Sequence, residues 1–319
     1  QVGFVVGPGN TFKSYSFEID PAGKIQYETM ARYGDAIRTG IEGLEALGVS
    51  LPRDPAAQRA AIEEDLRKIE AAMAGREVSA LLELPPLAEP RLRRALTLLI
   101  GIWAPAYISG AGGLHDLVAT RMVRISLEHG NCEESAFGYV AFATTVGYHR
   151  GAYHLGYQFG RLALALNAKL ADPRFHPLVH HRFAALVNPM VQPYATSLPH
   201  AQEAVRTALE GGNLHVAGYA QFQQSWYGIL IEESLGAFLA KVEPQLAFLA
   251  RLQNPAFLQG QRLILHWAYA LQGRTERPTS LNAPGLDEEE FLRTIGRIGI
   301  FRGLFVTLKL ELLNLHGEI

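Results

Sequence analysis

Apolar residues return at every third or fourth position in one segment after another, and this periodicity limits the fold more than any other feature. Met30, Tyr33, Ile37, Ile41, Leu44 and Leu47 begin the pattern. It demands helices with one buried stripe, because a strand would alternate its faces at every second residue. Residues 55–74 repeat it, with Ile62, Leu66, Ile69 and Met73 on one face and Glu63, Glu64, Arg67, Lys68 and Glu70 opposite.

Helix punctuation agrees. Asp54-Pro55 and Asp172-Pro173 each set a capping carboxylate before a first-turn proline. Asn131 and Glu134 have capping-box spacing, Asp287 opens an acidic first turn, and Gly130 and Gly211-Gly212 suit helix ends. Starts and stops recur as helical hairpins joined by short turns require. Pro244 predicts a kink or a restart inside one of these helices.

Small residues recur with the same spacing in two places. Tyr33, Ala36, Gly40 and Gly43 are matched by Tyr153, Gly156, Gly160 and Ala163. A ring at the start of a helix covers the preceding turn, and small residues in the following turns admit a neighbouring helix closely. Gly130-Asn131 leading to Tyr139, and Gly212-Asn213 leading to Tyr219, read as openings of first helices in hairpins. Before residue 26 the pattern differs. Phe4 to Val6 and Tyr15 to Ile19 have strand-like composition around a Gly-Pro-Gly-Asn turn, so residues 1–25 are expected to form an irregular cap or small hairpin, with residues 26–319 as the helical array.

Composition narrows the function classes. Apolar residues make up 48% of the 319 and charged residues 19%, ample for a core. The formal net charge is -2 with basic residues dispersed, which gives nucleic acid no electrostatic footprint. The single cysteine, Cys132, can form no internal disulfide, which suits a reducing, cytoplasmic setting. Residues 95–114 carry no charge over nearly the length of a membrane span, but Gly101, Pro105, Gly110, Gly112 and Gly113 interrupt them. A buried core helix over 91–104 followed by a loop is expected instead.

From about residue 27 onward the chain resembles the helical, tetratricopeptide-like repeat region of large bacterial multidomain signalling ATPases. The resemblance rests on collinear strings: Tyr33-Gly34-Asp35-Ala36-Ile37 with Gly40-Ile41-Glu42-Gly43-Leu44, then Pro105-Ala106-Tyr107, then Ser126-Leu127-Glu128-His129-Gly130-Asn131. Gly156-Tyr157-Gln158-Phe159-Gly160-Arg161 follows, then Asn188-Pro189, Ala217-Gly218-Tyr219-Ala220 and Leu286-Asp287-Glu288-Glu289-Glu290. It implies an all-α, right-handed solenoid of TPR-like hairpins and a regulatory role beside kinase-like, nucleotide-binding or sensor histidine kinase domains. Leu315-His316-Gly317-Glu318 reads as the turn of a further hairpin, so the chain is expected to be a piece of a longer one.

Motifs that carry chemistry are few. Gly7-Pro8-Gly9-Asn10-Thr11-Phe12-Lys13-Ser14 approximates a P-loop, but Phe12 stands where glycine must precede the lysine, and a turn is the plainer reading. His176, His180 and His181 lie together, with His176/His180 at the i, i+4 spacing of a metal pair but no third ligand nearby; surface or capping histidines are the plainer reading. His149 and His154 are five apart, a poor helical chelate. Cys132, near His129, sits at a helix start where its pKa could fall, though the same context suits an ordinary helix start. Paired acids such as Glu133-Glu134, Glu232-Glu233 and Glu288-Glu289-Glu290 read as first-turn or solvated charges.

Binding by shape remains. The helix from Asn213 to about Ile231 mixes amides with aromatics, and Tyr219, Gln223, Trp226 and Tyr227 are the candidate partner-binding residues, against a reading in which the rings pack between hairpins. The expectation is a non-catalytic module that binds a protein, peptide or small ligand, with no cofactor, no metal, no nucleic acid and no membrane. The competing expectation is a stand-alone helical enzyme or metal protein using His176, His180 and His181.

Overall fold

The computed structural model describes residues 5–6, 12–13, 33–252 and 254–318, and over these the chain is all-helical apart from one short strand pair. β1 (Val5–Val6) pairs antiparallel with β2 (Phe12–Lys13), with Val6 opposite Phe12. The P-loop-like turn and Tyr15 to Ile19 otherwise lie outside the described residues.

The helices in the first half are α1 (Tyr33–Ala46), α2 (Pro55–Met73), α3 (Pro90–Ser109), α4 (Leu114–His129), α5 (Glu133–Thr144) and α6 (Tyr153–Leu170). The second half holds α7 (His176–Arg182), α8 (Leu198–Glu210), α9 (Leu214–Ile231), α10 (Leu235–Arg251), α11 (Pro255–Leu271), α12 (Glu288–Arg293) and α13 (Gly299–Leu315). Two of them run on into a wider π turn, Thr145–His149 after α5 and Phe183–Val187 after α7.

Several starts follow the expected chemistry. Asp54 accepts from the Ala57 N–H at 2.8 Å, Asn213 from Val216 at 3.2 Å and Asp287 from Glu290 at 2.7 Å. Gly130 and Gly212 take positive φ at 103° and 69°, where a side chain would be strained.

Four expectations need correction. Asp172 caps a turn by accepting from the Arg174 N–H at 2.8 Å, while the helix starts at His176 with Phe175 at its N-cap. The capping box of α5 lies one residue later than expected, with the Ser135 hydroxyl accepting from the Cys132 N–H at 3.0 Å. Asn131 is instead a buried tie, donating to the Leu81 carbonyl at 2.8 Å and accepting from the Tyr139 hydroxyl at 2.9 Å. Finally, α3 does not stop at Ala104: it runs through Pro105 to Ser109, because Trp103, Pro105, Ala106 and Ile108 are all buried and their packing outweighs one lost backbone bond. α10 likewise runs through Pro244 without a restart.

α1 lies against α3 and α2 against α4, while α3 to α6 pack each on the next. Glycines make the first of these approaches possible: a methyl group at Gly40 would overlap Ile102, and one at Gly43 would stand 3.0 Å from Leu98. At Gly160 it would stand 2.5 Å from Val187. Tyr153 is 46% exposed and meets Tyr148 edge-on across the turn between α5 and α6, with centroids 6.4 Å apart. Asp65, buried on α2, pairs with Arg121 at 2.8 Å and Arg124 at 2.9 Å on α4.

Among the described residues, two large apolar clusters and a small one of Ala208, Val216 and Ala217 form the core. The first joins α1 to α7 around Leu44, Trp103, Phe137 and Phe183. The second joins α9 to α13 around Phe238, Phe257, Trp267 and Phe301, and also holds Tyr33 and Ile108. Tyr107 packs against both, and α13 reaches back to α3. Among the described residues no helix is long and apolar enough to cross a membrane.

Candidate functional site

Where the two clusters meet, side chains from five helices line one crevice: Tyr107 and Ile108 of α3, His181 and Arg182 of α7, Tyr219, Phe222 and Gln223 of α9, Phe257 of α11, and Ile300 and Phe301 of α13. Its volume is about 60 Å³. That is far below the several hundred cubic ångströms of a site that encloses a small-molecule ligand, and suits one inserted side chain.

The walls are aromatic and interlocked. Tyr107 stacks on Trp103 with centroids 5.1 Å apart, and Tyr219 meets Phe257 edge-on at 4.4 Å. The Arg182 guanidinium lies 4.6 Å from the Trp103 ring and 5.7 Å from that of Tyr219, a cation held among π faces. Burial pushes the Tyr107 phenol above its usual range, with the Arg182 charge opposing. Burial, reinforced by Arg182, holds the His181 imidazole well below its usual value and keeps it neutral.

The four candidate residues of α9 therefore separate. Tyr219 and Gln223 line the crevice. Tyr227 turns to the π turn after α7, where its hydroxyl donates to the Ala184 and Ala185 carbonyls at 2.8 Å each. Trp226 packs half-buried on the second apolar cluster. Sequence reasoning missed Tyr107, Arg182 and Phe301, which reach the crevice from helices far apart along the chain, with no local spacing to signal it.

Two histidines of α7, His176 and His180, make hydrogen bonds, while His181 stacks on Tyr219 with centroids 5.8 Å apart. His176 meets Asn167 at 2.8 Å through Nδ1 and Glu203 at 2.9 Å through Nε2, so both ring nitrogens are engaged. His180 stacks on His176 and faces His200, Nδ1 to Nδ1, at 3.3 Å. Burial, with His176 and His200 adding, lowers His180 to about 4. Arg206, with help from His176, holds Glu203 down at about 2. Cys132 is buried beside Ser135, and burial raises its thiol to about 11, contrary to the lowering expected at a helix start.

A second constellation was also missed. His115 and Asp116 occupy the first turn of α4, and the π turn after α5 brings His149 to them. His149 Nδ1 lies 2.6 Å from Asp116 Oδ2, the Thr145 hydroxyl donates to Asp116 Oδ1 at 2.7 Å, and His115 Nε2 is 3.6 Å from Oδ1. Burial lowers the pKa of His115, with Asp116 opposing. Among the described residues, these three place their donor atoms close enough to hold a metal ion.

No protein-family model matches the chain, and no solved structure matches it. A segment of 226 residues is 22% identical to hybrid signal transduction histidine kinase G of Dictyostelium discoideum, a match that covers 65% of this chain. It spans 6% of that protein's length.

Proposed function

We propose that this chain is a non-catalytic, TPR-like helical-repeat module that binds a protein or peptide and serves a signal-transduction protein as a regulatory segment. The observation that carries the reading is the crevice: five helices converge on a cleft of about 60 Å³. Such a cleft accepts one anchoring side chain of a partner and is too small to enclose a metabolite. The similarity to a signal transduction histidine kinase supports the signalling context. The repeated small-residue spacing, with helices approaching at Gly40 and Gly160, supports the solenoid. Catalysis, on this reading, belongs to other domains.

Peptide display against the purified chain tests it. Enriched peptides are expected to share an apolar anchor and to bind the native chain at least tenfold more tightly than a Gln223→Arg variant of unchanged melting temperature. Equal binding by the two would overturn the crevice as the docking site.

A further inference from the structure

His115, Asp116 and His149 do not line the crevice, although His115 packs against the back of its Tyr107. They come from two separate parts of the chain, yet one ligand atom from each lies within 4.8 Å of the other two. We propose that these three residues form a binding site for a single divalent first-row transition ion, zinc above all, with two imidazoles and one carboxylate as ligands and water on the open side.

The donor set selects the class of ion. Two imidazoles with one carboxylate suit zinc and its neighbours, whereas calcium and magnesium take oxygen ligands alone, and copper(I) favours thiolates. The spacing also fits. Donors bound at about 2.0–2.2 Å around one tetrahedral ion stand roughly 3.3 Å apart. The 3.6 Å between His115 Nε2 and Asp116 Oδ1 is already close to that. The 2.6 Å contact of His149 is with the other carboxylate oxygen, Oδ2, and opens by less than an ångström when both oxygens face the ion. His149 can supply this movement, since its side chain is 47% exposed at the end of the π turn. Coordination through Nδ1 requires the tautomer that carries its proton on Nε2.

Two further features belong to a ligand site. Both ring nitrogens of His115 are sealed from solvent, and the hydrogen bonding of the ring is limited to the Gly112 backbone, which leaves a buried nitrogen for an ion. The ring is held edge-on by Trp103 at 6.2 Å and Tyr107 at 5.5 Å, and Asp116 is oriented by the Thr145 hydroxyl. Such supporting contacts aim metal ligands elsewhere. The positive end of α4 opposes a cation here, an effect the Asp116 carboxylate in the ligand set offsets.

Zinc chloride titrated into the chelator-stripped full chain, followed by calorimetry and thermal melting, tests the site. One equivalent is expected to bind and raise the melting temperature. His149→Ala should weaken binding at least tenfold while the metal-free midpoint stays put, and a His176→Ala/His180→Ala variant should bind as the native chain does. If His149→Ala melts early without metal, His149→Gln reads the same loss. The proposal is overturned if the folded native chain takes up no stoichiometric zinc, if the His149 variants bind as tightly as native, or if binding disappears with His176 and His180. Zinc uptake is read directly and the altered histidines do not line the crevice, so failure here leaves the peptide-docking test standing.

Discussion

Gly40 and Gly101 share a side chain of one hydrogen but face opposite constraints. A methyl at Gly40 would overlap Ile102 where α1 meets α3, while at Gly101, inside α3, it would meet nothing within 4 Å. Gly40→Ala is expected to destabilise the chain by about 1–3 kcal/mol through overpacking. Gly101→Ala should stabilise it by about 0.5–1 kcal/mol by removing backbone freedom. Urea unfolding midpoints of the two variants check the pair. At Cys132 the buried, raised thiol predicts slow reaction with an aromatic disulfide reagent in the native chain and rapid reaction once urea unfolds it. The features legible at this scale were local. Asp54, Asn213 and Asp287 cap within three residues, so spacing revealed them. Asn131 bonds to Leu81, 50 residues away, and no window around it carries that information.

At the scale of elements, α2 and α7 show how charge and protonation hold helices in place. Asp65 on α2 answers Arg121 and Arg124 on α4, and its side chain is only 3% exposed. Asp65→Ala leaves two guanidinium groups without their shared carboxylate and should cost about 3 kcal/mol in chemical denaturation. On α7, His180 has a folded value of about 4 and His181 one well below the ordinary 6.5. The unfolded chain therefore takes up protons first as the pH falls. Stability from these groups is complete above about 6.5 and is lost progressively toward 4. Glu203, held at about 2, adds a loss that starts near 4.5 and continues below. Urea midpoints measured between pH 7 and pH 4 should fall, and His180→Phe should flatten that slope. The helices themselves were readable from periodicity, but the passage of α3 through Pro105 was not, because burial of Trp103, Ala106 and Ile108 decided it.

At the scale of the whole molecule, two apolar clusters meet at Tyr33, Tyr107 and Ile108, so each half has a core of its own and a shared seam. Phe301 is 1% exposed and fills the space beside Gly260 and Phe257 in the second cluster. Phe301→Ala should cost about 3–5 kcal/mol. Native-state hydrogen exchange is expected to show protection lost over α9 to α13 and kept over α2 to α6; uniform loss would mean one cooperative unit. The crevice belongs to this scale too. Tyr219 and Gln223 could be nominated from one helix, but their partners Tyr107 and Phe301 are set by which helices meet, information spread over the whole chain.

The π turn after α5 has a consequence that concerns phase. Its i→i+5 hydrogen bonds span one residue more than those of an α-helix, so it works as an inserted residue that rotates the downstream side chains by roughly 100° about the axis. Deleting Val146 would remove that offset and swing His149 off Asp116 toward another side of the helix, although no residue of the triad had been changed. The arrangement at this corner thus depends on a residue count as much as on the identity of three side chains, and a length change of one would erase it more completely than a conservative substitution.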